Sequence, residues 1–494
     1  MNRHTTHLEW PRPASAARLR ACGLHGLVWL ILASATLAAA QDWPMWGGTP
    51  QRNMVSSVKN LPVSWDVQNG TNIKWKTELG TISYGNPVVA DGKVFVGTNN
   101  GTPRTSEVKG DKGILMAFRE SDGKFLWQAV TDKLESGKEN DWPEQGICSS
   151  PAVEGKRLYY VTSRGELVAL DTEGFLDGRN DGPYQQESRT GPGDADVIWK
   201  LDMMKELGVF QHNMANSSPL VWDDLVFAET SNGRDDAGEK VPSPKAPSFL
   251  AVNKNTGKVV WQDSSPGDRI LHGQWSSPSL GEVNGVMQVF FPGGDGWLYG
   301  FNARTGEKLW RFDLNPKDAV WPKTRSDAIA TPVFADGRVF LATGQDPENG
   351  EGVGHLYAID PAKTGDITET GRVWHYALIR RSISTAAVAE GLVFISDFSG
   401  FLHCLDARTG TPYWTFDSLA AVWGSPLVAD GKVYLGDEDG DVVVLQAAKQ
   451  MKKLAEINMG SSVYGTPVAA NGVLYIMHRS TLFAIAAPGP GPAK

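Results

Sequence analysis

Residues 296 to 310 read Gly296-Trp297-Leu298-Tyr299-Gly300-Phe301-Asn302-Ala303-Arg304-Thr305-Gly306-Glu307-Lys308-Leu309-Trp310. Two short apolar runs flank a Thr-Gly turn, the pattern of a β-hairpin, and the second run ends on Trp. Residues 400 to 414 repeat that layout, and parts of it return at 165 to 171 and 256 to 261. A second landmark precedes each copy: a small polar residue and Pro, then an apolar run, a turn containing Gly and another apolar run. Its eight openings are Asn86-Pro87, Ser150-Pro151, Ser218-Pro219, Ser277-Pro278, Thr331-Pro332, Thr385-Ala386, Ser425-Pro426 and Thr466-Pro467, and only the sixth lacks its Pro.

Each copy supplies four short antiparallel strands. A four-stranded sheet has two apolar faces, and both are covered when neighbouring sheets stand radially around an axis. The expected fold is therefore all-β, a single eight-bladed β-propeller. Trp127, Trp199, Trp261, Trp310, Trp374 and Trp414 close six copies, Leu454 stands in the corresponding place of the seventh, and these indoles suit the wedges between blades. The eighth copy has only three strands before the chain ends. Residues 72 to 78, which carry Trp75, are predicted to pair beside residues 481 to 486, supplying the fourth strand and leaving no open sheet edge. Successive landmarks lie 64, 68, 59, 54, 54, 40 and 41 residues apart, so the early copies hold insertions, expected as loops at 132 to 146, 173 to 195, 231 to 248 and 345 to 353.

The chain has 494 residues, a length that alone suggests several domains, but the repeat assigns residues 65 to 486 to one ring. Residues 41 to 64 form a lead segment and 487 to 494 a Pro/Gly-rich tail. In the first forty residues four Arg precede an apolar stretch of bilayer-subcritical length and then Ala38-Ala39-Ala40, which reads as a cleavable signal peptide. The expected location is periplasmic or secreted, with no integral span after cleavage. Lys and Arg number 47 against 56 Asp and Glu, a net charge of −9, which argues against a nucleic-acid partner. Cys148 and Cys404 are the two cysteines beyond the signal segment, on well-separated repeats, and are expected to be two buried thiols.

The units Gly-x-Leu-x-Ala-Leu-Asp…Thr-Gly…Trp resemble the β-propeller repeats of pyrroloquinoline quinone (PQQ) proteins, over about residues 65 to 485. That group includes PQQ-dependent alcohol and sugar dehydrogenases, the propeller of the outer-membrane protein assembly machinery, and exported bacterial PQQ-binding-like proteins. The start Asp42-Trp43-Pro44-Met45-Trp46-Gly47-Gly48 looks like the lead-in of the last set. The resemblance implies PQQ and calcium as cofactors if the chain is a dehydrogenase, and an envelope protein partner if it is a scaffold. The adjacent Cys-Cys pair of the alcohol dehydrogenases has no counterpart in this sequence.

Loops entering the inner strands gather at one mouth of a propeller's channel. Three residues before each Pro landmark stand Tyr84, Cys148, Asn216, Trp275, Ile329, Ile383, Trp423 and Tyr464. Gln145, His212, Asn213, His272, Gln274, Arg325, Arg380 and Arg381 lie nearby, and Asp327 is the carboxylate best placed in sequence to act as a base. Aromatics that stack and Arg that pairs with carboxylates suit a flat anionic ligand. No residue spacing marks a metal site: His212 and His272 lack a third ligand, and Asp437-Glu438-Asp439-Gly440-Asp441 reads as a hairpin turn. The leading expectation is an exported module that binds a small-molecule or peptide ligand at the channel mouth, with a quinoprotein dehydrogenase and an outer-membrane assembly scaffold as alternatives.

Overall fold

The computed structural model describes residues 41–137, 140–344 and 353–487. The segment read as a signal peptide, most of the 345 to 353 insertion and nearly all of the tail lie outside the described residues. From Gln41 onward the chain forms one compact unit. Its strands make eight sheets. The first blade runs outward from the axis as Val88–Ala90, Lys93–Asn99, Lys112–Arg119 and Phe125–Asp132, and the others repeat that order. The eighth blade is completed by Ile73–Glu78, antiparallel to Thr481–Ile485, with Trp75 opposite Ala484 and Glu78 opposite Thr481. The ring thus closes where the sequence predicts. Two blades carry an extra two-residue strand in parallel pairing: Gly365–Asp366 on the outer edge of the fourth, and Val55–Ser56 on the inner edge of the seventh. Among the described residues no helix is long and apolar enough to cross a membrane.

The core lies between blades. Between the first and second, Phe95 and Trp127 pack with Leu158 and Leu170, all fully buried. The outer-strand indoles also tie each blade to the next. Trp75 Nε1 donates to the Glu120 carbonyl (2.8 Å), Trp199 Nε1 to that of Lys254 (2.8 Å), Trp261 Nε1 to that of Ala303 (3.1 Å) and Trp414 Nε1 to that of Ala448 (2.9 Å). Trp310 is the exception and donates within its own blade, to Gln288 Oε1. The Thr-Gly turn has its cause here: a Cβ on Gly257 would stand 2.5 Å from the Trp199 ring, and one on Gly306 2.6 Å from that of Trp261. Only glycine lets the indole of one blade lie flat on the turn of the next.

The lead segment travels around the far end of the channel. Each innermost strand is a sheet edge whose backbone groups face the axis and need partners. Gln41 bonds Asn471 of the eighth blade; Trp43 exchanges backbone hydrogen bonds with Val89 of the first; the Pro44 carbonyl accepts from Val153 of the second. The carbonyls of Pro50 and Gln51 then accept from Leu280 and Phe334 of the fourth and fifth. Asn53 pairs through its side-chain amide with Val388 of the sixth, Met54 accepts from Val428 of the seventh, and Ser56 Oγ donates to Ala469 of the eighth. Seven of these contacts fall two residues after the repeat landmark. The third blade is reached by Arg52, fully buried, whose guanidinium donates to the carbonyls of Ser218, Pro219, Pro278 and Trp46.

Candidate functional site

All eight residues three before the landmark, and all eight immediately before it, line one pocket of about 380 Å³ at the open end of the channel. The repeat therefore puts two stacked rings of side chains around the axis. The ring nearer the floor is polar and bonded from blade to blade: Asn86 N–H donates to Ser150 Oγ, Ser150 to Ser218, Ser218 to Ser277, Thr385 to Ser425, Ser425 to Thr466 and Thr466 to Asn86 Oδ1, at 2.5 to 3.2 Å. Trp46 of the lead segment also lines the pocket, and Arg52 lies behind it, holding the Trp46 carbonyl at 2.8 Å. Burial lowers the Arg52 pKa to about 9, which leaves the group cationic at neutral pH.

The outer ring is aromatic on one side. Tyr84 and Tyr464 stand 5.1 Å apart between centroids, Trp423 packs on Tyr464 at 5.7 Å, and Phe398 supports Trp423 from behind at 4.9 Å. Burial raises the Tyr84 phenol well above its ordinary value, so it stays neutral. Across the axis Trp275 donates its indole N–H to the His212 carbonyl at 3.2 Å, and packs against His272. Cys148 and Cys404 are free thiols. Cys148 departs from the expected burial because its position in the outer ring opens on the pocket; burial of its surroundings still pushes its pKa up to about 12, which disfavours a reactive thiolate.

The structure sorts the residues singled out in the sequence. Tyr84, Gln145, Asn213, Trp275, Trp423 and Tyr464 line the central pocket. His272, Arg325 and Asp327 line a separate cavity of about 340 Å³ beside it, together with Arg234. His212 and Gln274 are buried between these spaces: His212 Nδ1 meets the Arg234 carbonyl, and Gln274 Nε2 donates to the Asn232 carbonyl. Arg325 is held by Asp313 at 2.6 Å. Arg380 covers the Phe401 ring and Arg381 the Phe398 ring. Nearness in sequence does not bring these Arg or Asp327 to the central pocket, because their side chains pack into loops beside and behind it. The hydroxyl ring was missed as a site, although its signal was present in the small polar residue that precedes every landmark.

None of the described residues lining the central pocket is Lys, Arg, His, Asp or Glu. This decides the fit of PQQ, a planar tricarboxylate: the pocket supplies stacking faces and hydroxyls, but no cation in its wall to pair with a carboxylate. Nor do three His, Cys, Asp or Glu side chains among the described residues gather as metal ligands would. The residues present do not fit the quinone and its metal in this pocket.

Fold and pocket together define a class: a closed eight-bladed propeller of PQQ-like repeats with a ligand-sized hollow at one end of its channel. A family model described as outer membrane protein assembly factor BamB (PQQ_2) matches residues 27–181, 193–366 and 352–453, and the chain belongs to this family. It is 21% identical over 512 residues to lupanine 17-hydroxylase (cytochrome c) of Pseudomonas sp, covering 80% of this chain and 72% of that one. It is 24% identical over 427 residues to quinoprotein alcohol dehydrogenase PedH of Pseudomonas putida, covering 76% and 67%. Among solved structures it resembles BamB from Moraxella catarrhalis (TM-score 0.54, 16% identity, 85% of this chain and 98% of that one) and a europium-containing methanol dehydrogenase (TM-score 0.60, 14% identity, 89% and 90%). At these identities the solved structures speak for the fold alone.

Proposed function

We propose that this protein is an exported binding module that takes its ligand at the channel mouth. The observation that carries the reading is the pocket itself: sixteen repeat positions converge on it, and Trp46 of the lead segment, backed by the buried Arg52, lines it as well. A concave, partly apolar hollow with a few convergent polar groups is the usual form of a small-molecule site. Export rests on the Arg-rich, apolar and Ala-rich order of the first forty residues. The dehydrogenase reading has support from the names of the relatives and none from the pocket wall. Titration of the purified mature protein with small molecules and peptides, read by tryptophan emission, tests the binding role. A signal-segment fusion to a reporter active only outside the cytoplasm tests export.

An envelope protein partner is the second reading. It is favoured by the family's description and by Leu378 and Leu419, 75% and 87% exposed on the loops that enter the sixth and seventh blades. Bulky apolar side chains so exposed suit a protein contact. Crosslinking in envelope extracts, with Leu378→Asp and Leu419→Asp as controls, tests it: a partner lost in both variants supports this reading, and recovery of the same proteins with both variants contradicts it.

A further inference from the structure

We infer that the channel-mouth pocket takes a neutral, hydroxyl-rich ring compound: a pyranose sugar, or the end of a short neutral glycan. This rests on the reading of the mouth as the binding site and adds the class of ligand.

The hydroxyl ring comes first. Ser150, Ser218, Ser277, Ser425 and Thr466 each accept a neighbouring blade's N–H on the side-chain oxygen. A hydroxyl that accepts in this way keeps its own proton to donate, and among the described residues none of the five donates it to the protein. The pocket thus presents a circle of O–H donors of fixed position. A sugar hydroxyl meets such donors, since it accepts twice and still donates once.

The shape of the ligand follows from the other wall. Tyr84, Trp423 and Tyr464 offer aromatic faces, on which the C–H face of a pyranose can stack while its rim of hydroxyls meets the polar ring. The neutral lining sets the charge, because a carboxylate or ammonium entering here loses water without gaining an ionic partner in the wall. Arg52 does not supply one, being fully buried with its donors bound to four backbone carbonyls. At about 380 Å³, near the low end for small-molecule sites, the pocket has the size for a chain end.

The test is calorimetric titration of the mature protein with maltose, cellobiose and xylobiose, against PQQ and glucuronate as anions and α-cyclodextrin as a glycan without an end. At least one disaccharide is expected to bind at micromolar to millimolar concentration, with the anions and the cyclic glycan weaker. Trp423→Ala removes a stacking face of the pocket; it is expected to weaken that disaccharide at least tenfold with the melting temperature little changed. Ser277→Ala, which removes one hydroxyl of the ring, is expected to weaken it several-fold. Unchanged affinity in both folded variants overturns the assignment. Tighter binding of PQQ or glucuronate than of any disaccharide overturns the ligand class and leaves the mouth as a binding site. No binding by any of these probes, with no change in tryptophan emission from a peptide panel either, overturns both.

Discussion

Gln41 and Ser57 meet after a full circuit of the ring: Gln41 Nε2 donates to Ser57 Oγ at 3.2 Å. The residues between them have by then bonded the innermost strand of seven blades and, through Arg52, the residues that lead into that of the third. A propeller fastened only by Ile73–Glu78 against Thr481–Ile485 opens when one strand peels; here the hoop also holds these inner edges, so the blades are coupled at the axis as well as at the seam. The same hoop contributes Trp46 to the pocket lining.

Arg52 is the hoop's deepest attachment, and its loss is expected to cost stability out of proportion to one side chain. Arg52→Met fills similar volume and leaves the carbonyls of Ser218, Pro219, Pro278 and Trp46 without their donor. The expected loss is on the order of 3 kcal/mol in urea unfolding, because each buried carbonyl so exposed costs a sizeable fraction of its desolvation energy. A loss within experimental error would show that the guanidinium is not what binds hoop to ring.

The indoles divide into two groups that mutation separates. Trp127→Ala opens a cavity between the first two blades and removes the hydrogen bond to the Thr172 carbonyl, and a loss of roughly 3–5 kcal/mol is expected. Trp423→Ala, at the pocket, is expected to change stability by less than about 1 kcal/mol while abolishing ligand binding. Equal effects on stability would assign Trp423 to the core.

The Arg residues near the mouth give a sharper contrast. Arg325→Ala leaves Asp313 without its 2.6 Å partner and is expected to lower stability by about 2 kcal/mol, while ligand affinity stays within about twofold of wild type. Arg381→Ala, which removes the cation above Phe398, is expected to leave affinity similarly unmoved. A tenfold loss in either variant would place a cation in the recognition of the ligand and contradict a neutral pocket.

What the sequence revealed, and what it hid, has a physical reason. The blades were legible because their cause is local and periodic: alternating strands, a Thr-Gly turn that Trp must cover, a Pro before seven of the eight inner strands. Closure by Trp75 followed from a strand missing at one end and spare at the other. The eight positions three before the landmark were legible for the same reason. The circuit of residues 41 to 57 was not, since its partners are backbone groups of eight separate blades and no side-chain pattern encodes them. Arg325 and Arg381 misled for a related cause: sequence proximity places a backbone at the mouth and leaves the direction of a long side chain to packing.

Two buried groups set opposite pH dependences. Burial raises Asp295 from 3.8 to about 6, so the folded state holds its proton over that window while the unfolded chain has lost it; this contribution to stability is present at acid pH and is lost as pH rises through 6. Burial, with His375 at 3.0 Å, lowers His355 from 6.5 to about 4, so the unfolded chain takes up a proton first and stability falls as pH drops from 6.5 towards 4. Relative to wild type, Asp295→Asn is therefore expected to gain stability as pH rises from 4 to 6, and His355→Gln to gain as pH falls across its window. Denaturant midpoints between pH 4 and 7 read both; parallel profiles for wild type and variants would contradict the assignment.

The central claim, a ligand pocket at the channel mouth to which the lead segment contributes Trp46, is met most directly by fluorine NMR of the protein labelled with 5-fluorotryptophan. On addition of a disaccharide that binds, the resonances of Trp46, Trp142, Trp275 and Trp423, which line the pocket, are expected to shift, while those of the blade indoles Trp75, Trp127, Trp199, Trp261, Trp310, Trp374 and Trp414 stay in place. Shifts confined to the blade indoles, or a silent Trp46 beside a moving Trp423, would contradict it.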